Sequence, residues 1–308
     1  MQWGQIKVLL IVSFLILDVY LLFQFLEKKE QADYSILEEQ QSTFDELLDA
    51  ESIMIPELPK EDSETYISVK QKELADSDLT LRRDQVEQKI QLLNKQFIVS
   101  EIESPIKVDE DDSGEEMNDL LNQLALYAEE YSYWTWNEEL NILIYFQNKS
   151  DRPIYYNQNG VILVYLNDDN EAAYYTQTVL GDVEKLEDKT ELIQPIRAIE
   201  TLYRGNQLNS GDEVTDVDLG FYTRVPYEGD VQVFAPTWKV NLNEESDYFV
   251  NAIEGFVFST EENEFLYESV QTSIEKIKSS DMSGKSFKQD MLDLLEEKLE
   301  LLESGDVE

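Results

Sequence analysis

Apolar residues follow two regimes along this chain. From Val8 to Leu26 they are almost unbroken, whereas from about Tyr66 onward they alternate with polar residues in helical or strand rhythm. The first run is nineteen residues long. At about 1.5 Å rise per residue it reaches about 28 Å, enough to cross the hydrocarbon core of a bilayer. A secretory signal has a shorter apolar core and small residues at its cleavage site. Here the run passes into Gln24-Phe25-Leu26-Glu27-Lys28-Lys29, so it reads as an uncleaved transmembrane helix, Val8 to Leu26. The short head of residues 1–7 fits an N-in anchor, although Lys7 on one side and Lys28 and Lys29 on the other leave charge undecided. Asp18 sits near the middle, where an acid costs roughly 2.5–3.5 kcal/mol on insertion scales. Two readings stand: Asp18 hydrogen-bonds a partner helix, which is the favoured one, or it sits protonated or snorkels with water. Leu15 and Leu22, at i−3 and i+4, share its face.

Residues 27–60 are polar with sparse apolar points and read as a stalk that ends at Pro56 and Pro59. From Leu79, the spacing of Val86, Ile90, Leu93 and Phe97 predicts a helix, and Met117–Ala128 predicts a second. Strands are expected at Tyr131–Trp136, Leu140–Phe146, Ile154–Tyr156, Val161–Leu166 and Ala172–Thr178. The order then recurs. Leu192, Ile196, Ile199 and Tyr203 predict a helix with Pro195 near its start and Gly205 after its end. Strands follow at Val214–Val225, Val231–Phe234, Trp238–Leu242, Tyr248–Ile253 and Phe256–Ser259. Pro236 and Trp238 are expected to brace an edge strand. Two closing helices, separated by Ser283-Gly284, are marked by Leu266, Val270, Ile274 and Ile277 and by Phe287, Met291, Leu294 and Leu302. The last of them either packs on the domain or projects into solvent. The pattern predicts an α+β protein: one N-terminal transmembrane helix, then two similar helix-then-antiparallel-sheet units at 61–180 and 181–260, then C-terminal helices over 261–308.

Composition narrows the function. The 308 residues carry 66 acidic and 24 basic side chains, a net charge of −42. A body this acidic is repelled by nucleic acid and by anionic headgroups. Cysteine and histidine are both absent, which removes disulfides, thiol chemistry, the usual general base and the usual zinc ligand. Asp109-Glu110-Asp111-Asp112-Ser113-Gly114 matches the first half of a calcium loop, but position 12 is Leu120 where a bidentate Glu belongs, so a solvated loop is expected. The aromatic run Tyr131-Ser132-Tyr133-Trp134-Thr135-Trp136 offers stacking surface for a sugar, but core packing is the stronger expectation. No Gly-rich phosphate loop or G-x-S-x-G is present, so no catalytic, cofactor or metal residue and no small-molecule substrate is assigned.

Met1-Gln2-Trp3-Gly4-Gln5-Ile6-Lys7 leading into Phe14-Leu15-Ile16-Leu17-Asp18 resembles the start of the YycI (WalI) proteins of Gram-positive bacteria. So do Pro236-Thr237-Trp238-Lys239-Val240 and Tyr248-Phe249-Val250-Asn251-Ala252-Ile253-Glu254-Gly255, and Ile53…Pro56…Pro59 lies where that family has a similar segment. The resemblance implies a single-pass membrane protein, cytoplasmic at its N-terminus, with the bulk of the chain outside the cell membrane. It implies as partners a sister protein, YycH, and the sensor histidine kinase YycG (WalK), which governs cell-wall metabolism. It further implies that the anchor helices carry much of the regulatory contact. The family more commonly has Asn at the position of Asp18, and the helix after Gly284 resembles an extension. The expected function is therefore a non-enzymatic regulator acting through transmembrane helix packing at Asp18, Leu15 and Leu22. The alternative is an extracytoplasmic peptidoglycan- or peptide-binding module.

Overall fold

The structure, a computed structural model, describes residues 14, 15, 17, 20, 44–79, 86–109, 111–186, 188–223, 231–258 and 261–304. Two antiparallel sheets dominate it. The first is built from β3 (Gln88–Leu93), β4 (Phe97–Lys107), β5 (Tyr131–Asn137), β6 (Ile142–Lys149), β8 (Val161–Leu166) and β9 (Glu171–Thr178). Their order is β3-β4-β9-β8-β6-β5, with the two-residue β7 (Arg152–Pro153) beside β6. Strands β6 and β8 read as continuous apolar runs, ILIYF and VILVYL, because both faces of this sheet are covered. Leu143, Tyr145, Ile162 and Val164 pack with Met117, Leu121 and Leu124 of α3 (Gly114–Leu124). Ile142, Ile144, Phe146, Leu163 and Tyr165 pack with α5 (Glu262–Ser279) and α6 (Lys285–Ser304) on the other side. The last helix thus packs on the domain through Phe287, Met291 and Leu295.

The second sheet runs β10 (Leu180–Lys185), β2 (Ile67–Gln71), β13 (Val231–Leu242), β14 (Ser246–Asn251), β15 (Val257–Phe258), with β12 (Val214–Tyr222) on the other side of β13. One face packs on α4 (Pro195–Arg204), which has Pro195 in its first turn and Gly205 as its C-cap. Each unit therefore places a helix before an antiparallel meander: α3 then β5, β6, β8 and β9, and α4 then β12 to β15.

Several expectations are corrected. The segment 79–97 is not one helix: Leu79 ends α2 (Asp76–Leu79), residues 80–85 lie outside the described residues, and the hairpin β3–β4 begins at Gln88. Its turn holds Asn94 and Lys95 in left-handed conformation, and Ile90 and Leu93 point to opposite faces of the sheet. Ile154–Tyr156 is not a ladder strand: Ile154 bridges Phe221 in parallel, and the Tyr155 N–H donates to the Phe221 carbonyl at 2.9 Å. Val231–Phe234 and Trp238–Leu242 form one central strand, β13, rather than edge strands. Pro236 is accommodated because β13 changes partner there, from β2 at Phe234 to β14 at Thr237, so its missing N–H leaves no ladder bond unmade. Trp238 is fully buried and its indole donates to the Ile193 carbonyl at 2.9 Å. β2, from the segment expected in the first unit, instead belongs to the second sheet. Part of the expected stalk is folded: residues 44–51 form α1, whose Phe44 and Leu48 are buried with Ile196, Ile199 and Leu202.

The two units meet where the 152–156 segment crosses β12. A Cβ on Gly220 would lie 2.8 Å from the Pro153 carbonyl oxygen and 2.3 Å from the Tyr155 ring. The backbone oxygen cannot swing aside, so Gly220→Ala is expected to destabilise the protein by about 1–3 kcal/mol through overpacking. Thermal denaturation followed by circular dichroism checks this. An unchanged midpoint would mean that the crossing is loose.

Candidate functional site

Of the apolar run, Phe14, Leu15, Leu17 and Tyr20 are described; they are helical, and Leu15 is 60% exposed. Asp18, Leu22 and the rest of the span fall outside the described residues. Among the described residues, no helix is long and apolar enough to cross a membrane.

The acidic loop serves α3. The Ser113 hydroxyl accepts from the Glu116 N–H at 3.4 Å while the Glu116 carboxylate accepts from the Ser113 N–H at 2.8 Å, a reciprocal capping box. Asp112 accepts from the Asp109 N–H at 3.0 Å. The aromatic run packs in the core, as expected: Tyr131 is buried, and Trp134 touches Phe146, Tyr155, Tyr156 and Phe249 at centroid distances of 5.2, 5.4, 5.9 and 6.3 Å.

This ring cluster adjoins the main concentration of partly buried charge, at the join between the units. On β12, β13 and β14, Val217, Leu219, Trp238, Val240 and Val250 face the α4 core. The opposite parity carries Asp216, Asp218, Lys239, Asn241, Asp247 and Phe249. Register sets Asp218 opposite Lys239, and Asn241 between Asp216 and Asp247. The Lys239 amine lies 2.9 Å from Asp216, 3.6 Å from Asp218 and 5.5 Å above the Trp134 ring. Asn241 donates to Asp247 at 3.0 Å. Burial alone would lower the Lys239 amine, but Asp216, helped by Asp247 and Asp218, holds it above the usual lysine range. Burial and the neighbouring Asp216 push Asp218 up. Asp216 goes down despite burial, because Lys239 donates to it. Asp247 is raised by burial against the pull of Asn241 and Lys239. Nearby, burial also raises Glu262, although Asn137 donates to it at 3.1 Å. Glu262 lines an open cleft of about 540 Å³ with Trp136, Asn137, Glu138, Glu139, Glu261 and Asn263.

Nucleophile and base pairing of the histidine or cysteine kind is unavailable to this arrangement, because the chain has neither residue. Among the described residues, no group of three or more acidic side chains is placed to hold a metal ion. What the arrangement can do is fix two sheets against each other. Sequence reading missed this constellation. Its signal was there as Asp216-x-Asp218 and Lys239-x-Asn241, polar residues on a single parity of otherwise apolar strands.

A sequence model described as YycI protein matches residues 31–253. The chain belongs to the YycI family. YycI proteins are a regulatory family of two-component systems, and the matched region runs from before α1 through β14, leaving α5 and α6 beyond it. No curated protein matches this YycI chain. Among solved structures it is similar to the crystal structure of YycH from Bacillus subtilis, at 12% identity and a TM-score of 0.36. The likeness covers 64% of this chain and 54% of that one, so the chain spans about half the length of the YycH structure.

Raised carboxyls make the seam sensitive to pH. A folded-state pKa above the unfolded one means that the folded protein holds the proton longer, so stability falls as pH rises through the interval between the two values. Asp247→Asn keeps an acceptor for Asn241 and removes the charge. It is expected to raise the thermal midpoint at about pH 7, and its advantage should shrink as the pH falls toward about 4 and the wild-type carboxyl takes up its proton. Parallel melts of both proteins across that range check this. An Asn variant less stable at every pH would contradict it.

Proposed function

We propose that this YycI chain is a single-pass, non-enzymatic membrane regulator of a sensor histidine kinase of the YycG (WalK) type, which controls cell-wall metabolism. The observation that carries this reading is the family match over residues 31–253. In the proposed arrangement the N-terminus is cytoplasmic, Val8 to Leu26 spans the membrane, and the two sheet units lie outside the cell, where a YycH-like protein docks. Supporting it, Phe14, Leu15, Leu17 and Tyr20 are helical, apolar or aromatic, and exposed. Such a helix is suited to lipid or to a neighbouring helix. Asp18, flanked by Leu15 and Leu22, would hydrogen-bond across the helices and bias the kinase toward one signalling state.

The alternative, a peptidoglycan-binding module, needs free aromatic faces. Three of the four rings of the 131–136 run that would supply them are engaged instead, with Trp136 alone lining the open cleft: Tyr131 is buried, Tyr133 meets Tyr145 at 5.6 Å, and Trp134 is ringed by four aromatics. This favours the regulatory reading.

Interhelical hydrogen bonds in membranes are worth about 0.6–2 kcal/mol. Asp18→Leu is therefore expected to weaken association with the kinase about 3- to 30-fold, while Asp18→Asn retains most of it. Site-directed crosslinking in membranes, or a membrane two-hybrid assay, reads this directly. If neither change alters association, Asp18 is not the contact.

A further inference from the structure

Where α5 lies on the first sheet, a small cavity of about 10 Å³ is lined by residues including Phe97, Thr176, Ser269, Thr272, Ser273 and Lys276. That volume is about what one water molecule needs. Most of its polar lining is already partnered. The Ser273 hydroxyl donates to the Ser269 carbonyl at 2.7 Å, and the Thr272 hydroxyl donates to Gln158 Oε1 at 3.3 Å. Among the described residues, the Thr176 hydroxyl has only a long contact with the Tyr165 hydroxyl, 3.4 Å.

Two groups stand apart. Ser269 is 5% exposed, yet its hydroxyl has no partner among the described residues. Lys276, two helical turns further along α5 on the same side, makes no ion pair among the described residues. Its amine lies 4.8 Å over the Phe97 ring, and burial lowers it below the usual lysine range. Buried polar groups in proteins are satisfied by protein or by ordered water, and an orphaned hydroxyl is destabilising.

We propose that this cavity is a binding site for a single water molecule that joins the Ser269 hydroxyl to the Lys276 amine and fixes the register of α5 on the sheet. A water can accept from the amine and exchange a hydrogen bond with the hydroxyl at once. A cation is repelled by Lys276. An anion would meet both the Gln158 Oε1 that lines the same cavity and a chain of net charge −42.

The test compares Ser269→Ala with Ser273→Ala in the full-length protein. Both replace serine by alanine within α5, so the gain in helix propensity is common to them. The Ser273 hydroxyl is already satisfied inside the helix. With water bound, the midpoint of Ser269→Ala falls at or below that of Ser273→Ala. With an empty cavity, removing the orphaned hydroxyl makes Ser269→Ala the more stable by several degrees, which overturns the proposal. A high-resolution crystal structure should then show one water within hydrogen-bonding distance of Ser269 Oγ, lost in Ser269→Ala. An empty site overturns the proposal. So does a wild-type midpoint that rises when chloride replaces gluconate while that of Ser269→Ala does not, since an anion would then hold the site.

Discussion

The packing of Trp134 against Tyr155, Tyr156, Phe146 and Phe249 is the contact on which the rest of this architecture depends. Trp134 and Phe146 come from the first sheet, Phe249 comes from the second, and the two tyrosines come from the segment that crosses between them. Phe265 of α5 joins through Tyr156 at 5.3 Å, and Tyr222 extends the stack to Phe258 at 4.5 Å. Each edge or offset pair is worth about 0.5–1.5 kcal/mol beyond the area it buries. A network of this size therefore outweighs any single ion pair at its rim. It also explains Gly220: rings this close to β12 leave no room for a Cβ beneath them.

A second, polar weld lies away from the rings. Gln147 is fully buried on β6, and its amide takes the place of a missing strand neighbour for β10. Its oxygen accepts from the Leu180 N–H at 2.7 Å, and its nitrogen donates to the Leu180 carbonyl at 3.1 Å and to Glu130 at 2.9 Å. Burial works against ionising Glu130, but donation from Lys149 and Gln147 holds its carboxyl below the usual range. Because β10 belongs to the second sheet, this side chain couples the units at a point the aromatic seam does not reach. Two separate contacts resist rotation about either one. Relative movement of the units is therefore costly, and the pair is suited to pass on a displacement rather than absorb it.

How far the sequence could be read depended on whether a segment's pattern answered to one partner or to several. α4 and the strands β5, β6, β8 and β9 were legible because their periodicity and stop signals reflect local requirements: Pro195 and Gly205 bracket the helix, and unbroken ILIYF and VILVYL runs require two covered faces. The 79–97 segment misled because apolar residues three and four apart arise equally when a hairpin sends alternate residues to two cores. Its turn residues, Asn94 and Lys95, lack the glycine that would have announced it. Pro236 misled because a proline's effect on a sheet depends on which strand lies on its N–H side, a long-range fact. β2 is placed by partners more than a hundred residues away, at Leu180 and Val231, which no local window contains. The site was half legible in the same sense. Asp18 stands out against an apolar background but lies outside the described residues, whereas Asp216, Asp218, Lys239 and Asp247 are unremarkable until pairing sets them around one amine.

Residues 27–43 separate the apolar run from Phe44, and Phe44 is buried, meeting Tyr203 of α4 at 6.1 Å between ring centroids. α1 therefore belongs to the core of the second unit, with Leu48 and Ile53 buried beside Ile196 and Ile199. The segment 53–59 that follows hydrogen-bonds to β12, where the Val214 N–H donates to the Met54 carbonyl at 2.8 Å. A force applied to the chain at Phe44 is delivered first to α4 and the edge of β12, and from there across Gly220 to the aromatic seam. If the run acts by packing against a kinase helix, a displacement that reaches Phe44 meets the second unit before the first.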